Sequence, residues 1–254
     1  MPIYNAPILA VDPGETRRYA GLQKAEEFKE ELIDNACQEA QLLIQPQGIW
    51  QIYDYDAASQ TIYTAPRTKD TKDMLPISAK TAGTSMAETL PGELPAMVRL
   101  QGKSIGRHLQ KACKVVVLSA TIGEDIENQV TRSFEEGRYS FSVLLDAAAT
   151  TAIEEVADGM EKNIFSVVKR HGLAMTWRFS PGYGDWPIEQ QPEVLSLAHG
   201  EKIGVSLTEA LMLTPRKSIT AVIGLYYPDK DCEKTSNKHD CSQCAKTDCP
   251  ARRS

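Results

Sequence analysis

Ten consecutive residues hold much of the side-chain chemistry that a small charged ligand would use: Arg178-Phe179-Ser180-Pro181-Gly182-Tyr183-Gly184-Asp185-Trp186-Pro187. Pro181 and Pro187 fix φ, whereas Gly182 and Gly184 open backbone conformations that side chains forbid. The Pro-Gly pair also marks a turn. Arg178 can form a bidentate bond to a carboxylate. Gly182 lets a ligand approach the main chain, and Tyr183 can face a cation or an adenine ring. Spacing alone leaves a second reading open, a rigid surface turn with a structural arginine.

The second concentration of chemistry is cysteine. Cys232, Cys241, Cys244 and Cys249 are spaced C-x8-C-x2-C-x4-C and followed by Pro250. Four thiolates close in sequence point to a metal. Tetrahedral zinc would staple a polar segment that has no core, and an iron–sulfur cluster also takes four cysteines, with a terminal Cys-Pro familiar from ferredoxin-type ligation. Spacing does not choose between them. Cys37 and Cys113 are isolated in apolar, helix-like surroundings and read as buried, inert thiols.

The whole chain bounds these readings. It has 254 residues, 42% apolar and 24% charged, ordinary for a globular protein with a sizeable core. A net charge of −6 argues against a nucleic-acid-binding face. No run approaches the roughly 20 apolar residues of a membrane span, and no signal-peptide pattern is present, so a cytoplasmic location is the default expectation. The Gly102-Lys103-Ser104 triplet lacks the upstream glycine of a phosphate-binding loop and follows no buried strand.

The elements that must position the loop read as follows. Met1 to Val11 is an extended arm. Asp12-Pro13-Gly14-Glu15 starts a helix, with Asp12 as N-cap, Pro13 at the first position and Glu15 completing a capping box. That helix loosens at Gly21 and continues to about Ile44, with Phe28, Leu32, Cys37, Ala40 and Ile44 on one stripe. Ile49–Tyr55 and Thr61–Ala65 read as strands, and 67–95 as a loop or insertion poor in apolar residues. Regular structure returns at Leu100 with a helix carrying His108, read as a surface residue. A strand over Lys114–Thr121, a helix from about Glu124 to Phe134 and a long helix from Tyr139 to about Arg170 follow. Asp146 and Glu154, eight residues apart, lie roughly on one face of the long helix. Leu173–Trp177 is a short strand, Ile188–Leu197 a short helix and Lys217–Tyr227 an apolar strand.

Arg178-x-x-x-Gly182-Tyr183 with Pro187 beyond resembles the AdoMet-binding loop of the activation domain of cobalamin-dependent methionine synthase. Downstream, Ile203-Gly204-Val205-Ser206-Leu207-Thr208-Glu209-Ala210-Leu211-Met212-Leu213-Thr214-Pro215-Arg216-Lys217-Ser218 is similar to that family's G-(I/V)-x-L-T-E-x-x-M-L-x-P-x-K-S stretch. Ser119-Ala120-Thr121-Ile122-Gly123 resembles its (A/S)-A-T-(I/L)-G turn. The resemblance runs from about Lys103 to Gly224 and, more faintly, through the N-terminus, where Arg18-Tyr19 follows the helix cap. It implies an α+β fold: one helix-rich domain over 1–228 with a twisted, mainly antiparallel sheet. The cysteine-rich segment 229–254 would be a separate small metal-binding tail.

The same resemblance implies the ligand, S-adenosyl-L-methionine (AdoMet), and its site. Arg178 would hold the carboxylate, an acidic residue of the long helix the ammonium, with Glu154 preferred and Glu155 second. Ser180, Gly182 and Tyr183 would line the loop. The family places a ligand-facing tyrosine near the end of the last strand; Ile223 occupies that position here, and Tyr226 or Tyr227 lies just beyond. No catalytic side chain is implied. The chain lacks the Asp-x-His-x-x-Gly corrinoid-ligand motif and the folate and homocysteine modules, so it would be one component of a methyltransferase system, without complete activity alone. The implied partners are a separate corrinoid-binding methyltransferase that holds the cobalamin and an electron donor. A non-catalytic AdoMet-sensing or corrinoid-capping module and a zinc-stabilised scaffold remain the alternative functions.

Overall fold

The valine-rich run Val115-Val116-Val117-Leu118 is apolar at every position because both of its faces are covered. A computed structural model describes residues 3–5, 10–23, 29–65 and 95–228. In chain order its elements are β1 (Tyr4–Asn5), α1 (Pro13–Tyr19), α2 (Glu30–Leu43), β2 (Gln47–Asp56), β3 (Thr61–Tyr63), β4 (Met97–Arg99), α3 (Lys103–His108), β5 (Lys114–Thr121), α4 (Asp125–Glu135), α5 (Tyr139–Lys169), β6 (Ala174–Met175), α6 (Gln191–Ala198), β7 (Ser206–Leu207), β8 (Leu213–Thr214) and β9 (Ser218–Tyr226). Seven strands form one sheet in the order β4-β3-β2-β5-β9-β6, with β1 added to β2, and every pair is antiparallel. β7 and β8 make a separate hairpin. This is the expected α+β architecture with an antiparallel sheet.

Alternation along the central strands divides the core in two. Val116, Leu118 and Ala120 of β5, with Ala221, Ile223 and Leu225 of β9, pack against α5, α2 and α4. Val115 and Val117, with Val222, face the other way, onto Ile105 and Leu109 of the α3 region and Val194, Leu197 and Ala198 of α6. On the first face α5 presents a small-residue stripe, Ala148, Ala149 and Ala152, all fully buried. Small side chains let a neighbouring helix come close: Thr16 of α1 reaches Thr151 of α5, hydroxyl to hydroxyl, at 3.2 Å.

The structure changes several expectations. The N-terminal helix is two helices, α1 and α2, because Gly21 takes φ +73° and leaves the helical region. Asp12 caps α1, accepting from the N–H groups of Gly14 and Glu15 at 2.7 and 3.1 Å. The capping box is not completed by Glu15, which pairs with Arg18; the Asp12 N–H donates to Glu155 of α5 at 3.1 Å. A tertiary partner has taken the place of the local one. β4 precedes the expected return of regular structure, as an edge strand held by its register with β3. Cys37 is buried, whereas Cys113 is exposed in the turn before β5. Phe28, residues 67–94 of the expected insertion and the cysteine segment 229–254 lie outside the described residues. Among the described residues no helix is long and apolar enough to cross a membrane.

Leu118 sits at the centre of the α5-facing core and is fully buried. Leu118→Ala is expected to lower the unfolding free energy by about 2–5 kcal/mol, the usual cost of a truncated core leucine. Urea denaturation of the purified chain measures it.

Candidate functional site

β6 ends at Met175, and pairing with β9 reappears as an isolated bridge between Phe179 and Val222. Trp177 and Arg178 fall between these pairings. Phe179 turns toward the α3–α6 core, and Arg178 reaches across the sheet edge to α5. Its Nη2 donates to Glu154 Oε2 at 3.1 Å and to Asp158 Oδ1 at 2.9 Å. Its Nε lies 3.6 Å from Glu161 Oε1, and its backbone N–H donates to that same oxygen at 3.0 Å. Nη1 is buried and has no hydrogen-bond partner among the described residues.

Glu154, Asp158 and Glu161 stand at i, i+4 and i+7 and therefore share one face of α5. The family resemblance points to Glu154 first and Glu155 second, and to neither Asp158 nor Glu161. The same spacing rule applied to Glu154 points to the other two, and it needs only the knowledge that a cation crosses that face. Glu155, the second choice, turns to the Asp12 N–H, and burial pushes its carboxyl above the ordinary range. Asp146 lies on the same helix but meets Lys217, whose Nζ is 2.9 Å from Asp146 Oδ1 and 2.8 Å from Thr150 Oγ1.

Three carboxylates facing one guanidinium leave negative charge in excess. Only 18% of the Arg178 side chain is exposed, against 37% and 40% for Glu154 and Asp158. The guanidinium is shielded while the two outer carboxylates keep contact with solvent, which screens them. Glu161 is the inner one. Burial pushes its carboxyl up from the ordinary 4.5, Arg178 pulls it down through charge and backbone N–H, and Asp158 and Glu154 add to the rise.

The loop after Arg178 is held by its own backbone and by one buried ring. Tyr183 N–H donates to Ser180 O at 3.1 Å, Gly182 N–H to Trp186 O at 2.9 Å and Trp186 N–H to Tyr183 O at 3.0 Å. Trp186 is 1% exposed, and its Nε1 donates to Gln190 Oε1 at 2.8 Å. Gln190 in turn accepts from the Gln101 N–H and donates to Arg99 O, tying the loop to the end of β4 and the segment after it. Tyr183 is exposed and meets the Phe179 ring edge-on at 5.9 Å.

His108, expected at the surface, is half-buried. Its ring stacks on Phe179 at 5.0 Å and meets Trp177 edge-on at 4.7 Å. Nε2 lies 2.9 Å from both Trp177 O and Thr176 Oγ1. Burial holds its pKa below the ordinary value, against the opposing pull of the Trp177 carbonyl. Its spacing in the sequence carries no sign of this buttressing role.

Arg178 and Glu154 are thus brought together, and Ser180, Gly182 and Tyr183 form the turn beside them. Tyr226 is not brought to the carboxylates. Alternation along β9 places it with Val222, on the face opposite Ala221, Ile223 and Leu225, which pack toward α5. Among the described residues no group of His, Cys, Asp and Glu is arranged to hold a metal ion.

No family model matches the chain, and no curated protein does. Among solved structures, the crystal structure of the MetH reactivation domain bound to AdoHcy is similar to it. The TM-score is 0.51 at 11% sequence identity, over 92% of this chain and 81% of that one. The chain has the reactivation-domain fold. Within the reactivation-domain fold as this sequence builds it, one edge of α5 faces the loop that leaves β6, and the ionic contact bridges the two.

The raised Glu161 carboxyl makes a pH-dependent prediction. Its folded-state value lies above the unfolded one, so its contribution to stability is fully present below about 4.5 and is lost as pH rises through the folded value. Glu161→Gln keeps an oxygen for the Arg178 N–H and removes the charge. At pH 7 its urea midpoint is expected to equal or exceed that of the wild type, with the difference closing as pH falls toward 4.5. A variant less stable than the wild type at pH 7 would show that the ion pair outweighs burial.

Proposed function

We propose that the chain binds S-adenosyl-L-methionine at the Arg178–α5 contact and serves as the reactivation partner of a separate corrinoid-dependent methyltransferase. The observation that carries this reading is the pairing of opposite charges within one contact: a shielded guanidinium set against three carboxylates. An amino-acid ligand needs both signs. The carboxylate of AdoMet suits the Arg178 guanidinium, whose side chain keeps 18% of its surface exposed, and its ammonium suits Glu154 and Asp158. The surplus negative charge favours a ligand that also carries a sulfonium. The fold supports the same ligand class, since the similar MetH domain is bound to AdoHcy.

The roles of the chain's own residues follow from that placement. Arg178 and Glu154 orient the methionine end, Gly182 admits the ligand beside the backbone, and Ser180 and exposed Tyr183 flank it. A cobalamin held by the partner would supply the methyl acceptor after one-electron reduction by an external donor, taking the methyl group from the sulfonium onto cobalt and leaving S-adenosylhomocysteine in this chain's site. No proton moves, so no general base is required, and positioning is the chain's contribution. Cys232, Cys241, Cys244 and Cys249 are proposed to share one iron–sulfur cluster or one zinc in a small unit of their own, beyond the 1–228 domain.

Calorimetry is expected to show AdoMet binding in the micromolar range, about −8 kcal/mol. Arg178→Lys keeps the charge and loses the fork, and should weaken binding by on the order of 2 kcal/mol with the circular dichroism spectrum retained. No heat and no competition by S-adenosylhomocysteine would refute the ligand. Methylcobalamin formation with a corrinoid partner and a reductant separates reactivation from AdoMet sensing or corrinoid capping.

Anaerobically purified chain that is brown, with broad absorption near about 400 nm, identifies the cluster. A colourless chain with one zinc identifies the structural staple, and four freely titrating thiols without metal refute both.

A further inference from the structure

The ligand loop is pinned a second time, by a residue that the functional reading above does not use. Asp185 Oδ2 accepts the Lys103 N–H at 2.9 Å, and Oδ1 accepts the Ser104 N–H at 2.7 Å. Ser104 Oγ accepts the Asp185 N–H in return at 3.4 Å. These are the first amides of α3, whose own cap position is Gly102, with no side chain to satisfy them. Asp185, more than eighty residues away in sequence, supplies what a capping side chain would.

The approach is close enough to demand glycine on both sides. A Cβ placed on Gly102 would lie 2.9 Å from Asp185 O, and one on Gly184 would lie 2.6 Å from Ser104 Oγ. Both residues hold positive φ, +116° and +59°. Below this contact, Ile105 and Leu109 are fully buried in the α3–α6 core. Asp185 therefore ties the loop to an element that cannot easily move. Trp186 is the first anchor and Asp185 the second, and Tyr183 is displayed just before them.

We infer that Asp185 is a positioning residue: its carboxylate clamps the start of α3 and so holds the Arg178–Trp186 turn in the geometry that the ligand meets. The inference rests on the AdoMet reading for its functional consequence, and on the structure alone for the clamp. The two N–H groups of Lys103 and Ser104 and the Ser104 hydroxyl hold the carboxyl at about 2, although the side chain is open to solvent. The clamp therefore stays ionised across the neutral range.

The test uses the full chain with Asp185→Ala and Asp185→Asn. Amide hydrogen exchange reads the loop, calorimetry with AdoMet reads the site, and exchange across β5 reads the global fold. Asp185→Ala is expected to speed exchange at the Gly182 and Trp186 amides, to leave β5 unchanged, and to weaken AdoMet binding about tenfold, as expected when preorganisation is lost. Asp185→Asn, whose amide oxygen can still accept one N–H, should recover part of both effects. Unchanged exchange at Gly182 and Trp186 overturns the clamp. Exchange that also rises across β5, with no recovery by asparagine, overturns it too, because Asp185 would then act on the whole fold. A wild-type chain that gives no heat with AdoMet refutes the functional reading alone, and the clamp then stands or falls on loop exchange.

Discussion

A guanidinium drawn out of water needs anions around it, and α5 meets Arg178 from one face, with Glu154 and Asp158 on its Nη2 and Glu161 on its backbone N–H. That requirement links the two halves of the site. The arginine arrives from the sheet edge and the carboxylates from a helix whose other side is buried in the core. Lys217 makes an equivalent contact with Asp146 further toward the start of α5. The two cations lie on segments that lead into or pair with β9, so the helix is registered against the last long strand at two points. Apolar packing brings α5 to the sheet, and the charges set how it lies there.

The loop that carries the arginine has a different kind of support. Its polar and glycine residues bury little by themselves, so its shape depends on what it is rooted in. Trp186 enters the second core, His108 is packed between Trp177 and Phe179, and the loop's backbone hydrogen bonds close on each other. A binding loop held by rings on a rigid scaffold loses less order when it takes a ligand than a free one would. Here the scaffold is the face of the sheet away from α5. Both faces of the sheet therefore contribute to a site at its edge.

At 11% identity and a TM-score of 0.51, the likeness to the MetH domain shows the fold alone. A fold of this kind can host unrelated chemistry. The weight therefore falls on the particular residues. An arginine beside surplus carboxylates is an arrangement suited to a zwitterion with an extra positive charge. It is poorly suited to an anion, since the carboxylates would repel it.

Local signals in the sequence determined a good deal. The continuous apolar run of β5, the 31-residue extent of α5 and the strand preference of β9 follow from periodicity and composition, which need no distant partner. Asp12 announced a cap because capping is satisfied within three residues. The turn at Arg178–Pro187 was legible for the same reason, from proline and glycine. Tertiary structure alone decided the rest. Only folding showed that Glu155, not Glu15, receives the Asp12 N–H, and that Asp158 and Glu161 join Glu154. It also sent Asp185 to α3, stacked His108 under the loop, and set Tyr226 on the face of β9 opposite Ile223. Each of these depends on which surfaces meet across tens of residues. Helical spacing states which side chains share a face, but the cation that crosses that face comes from elsewhere in the chain.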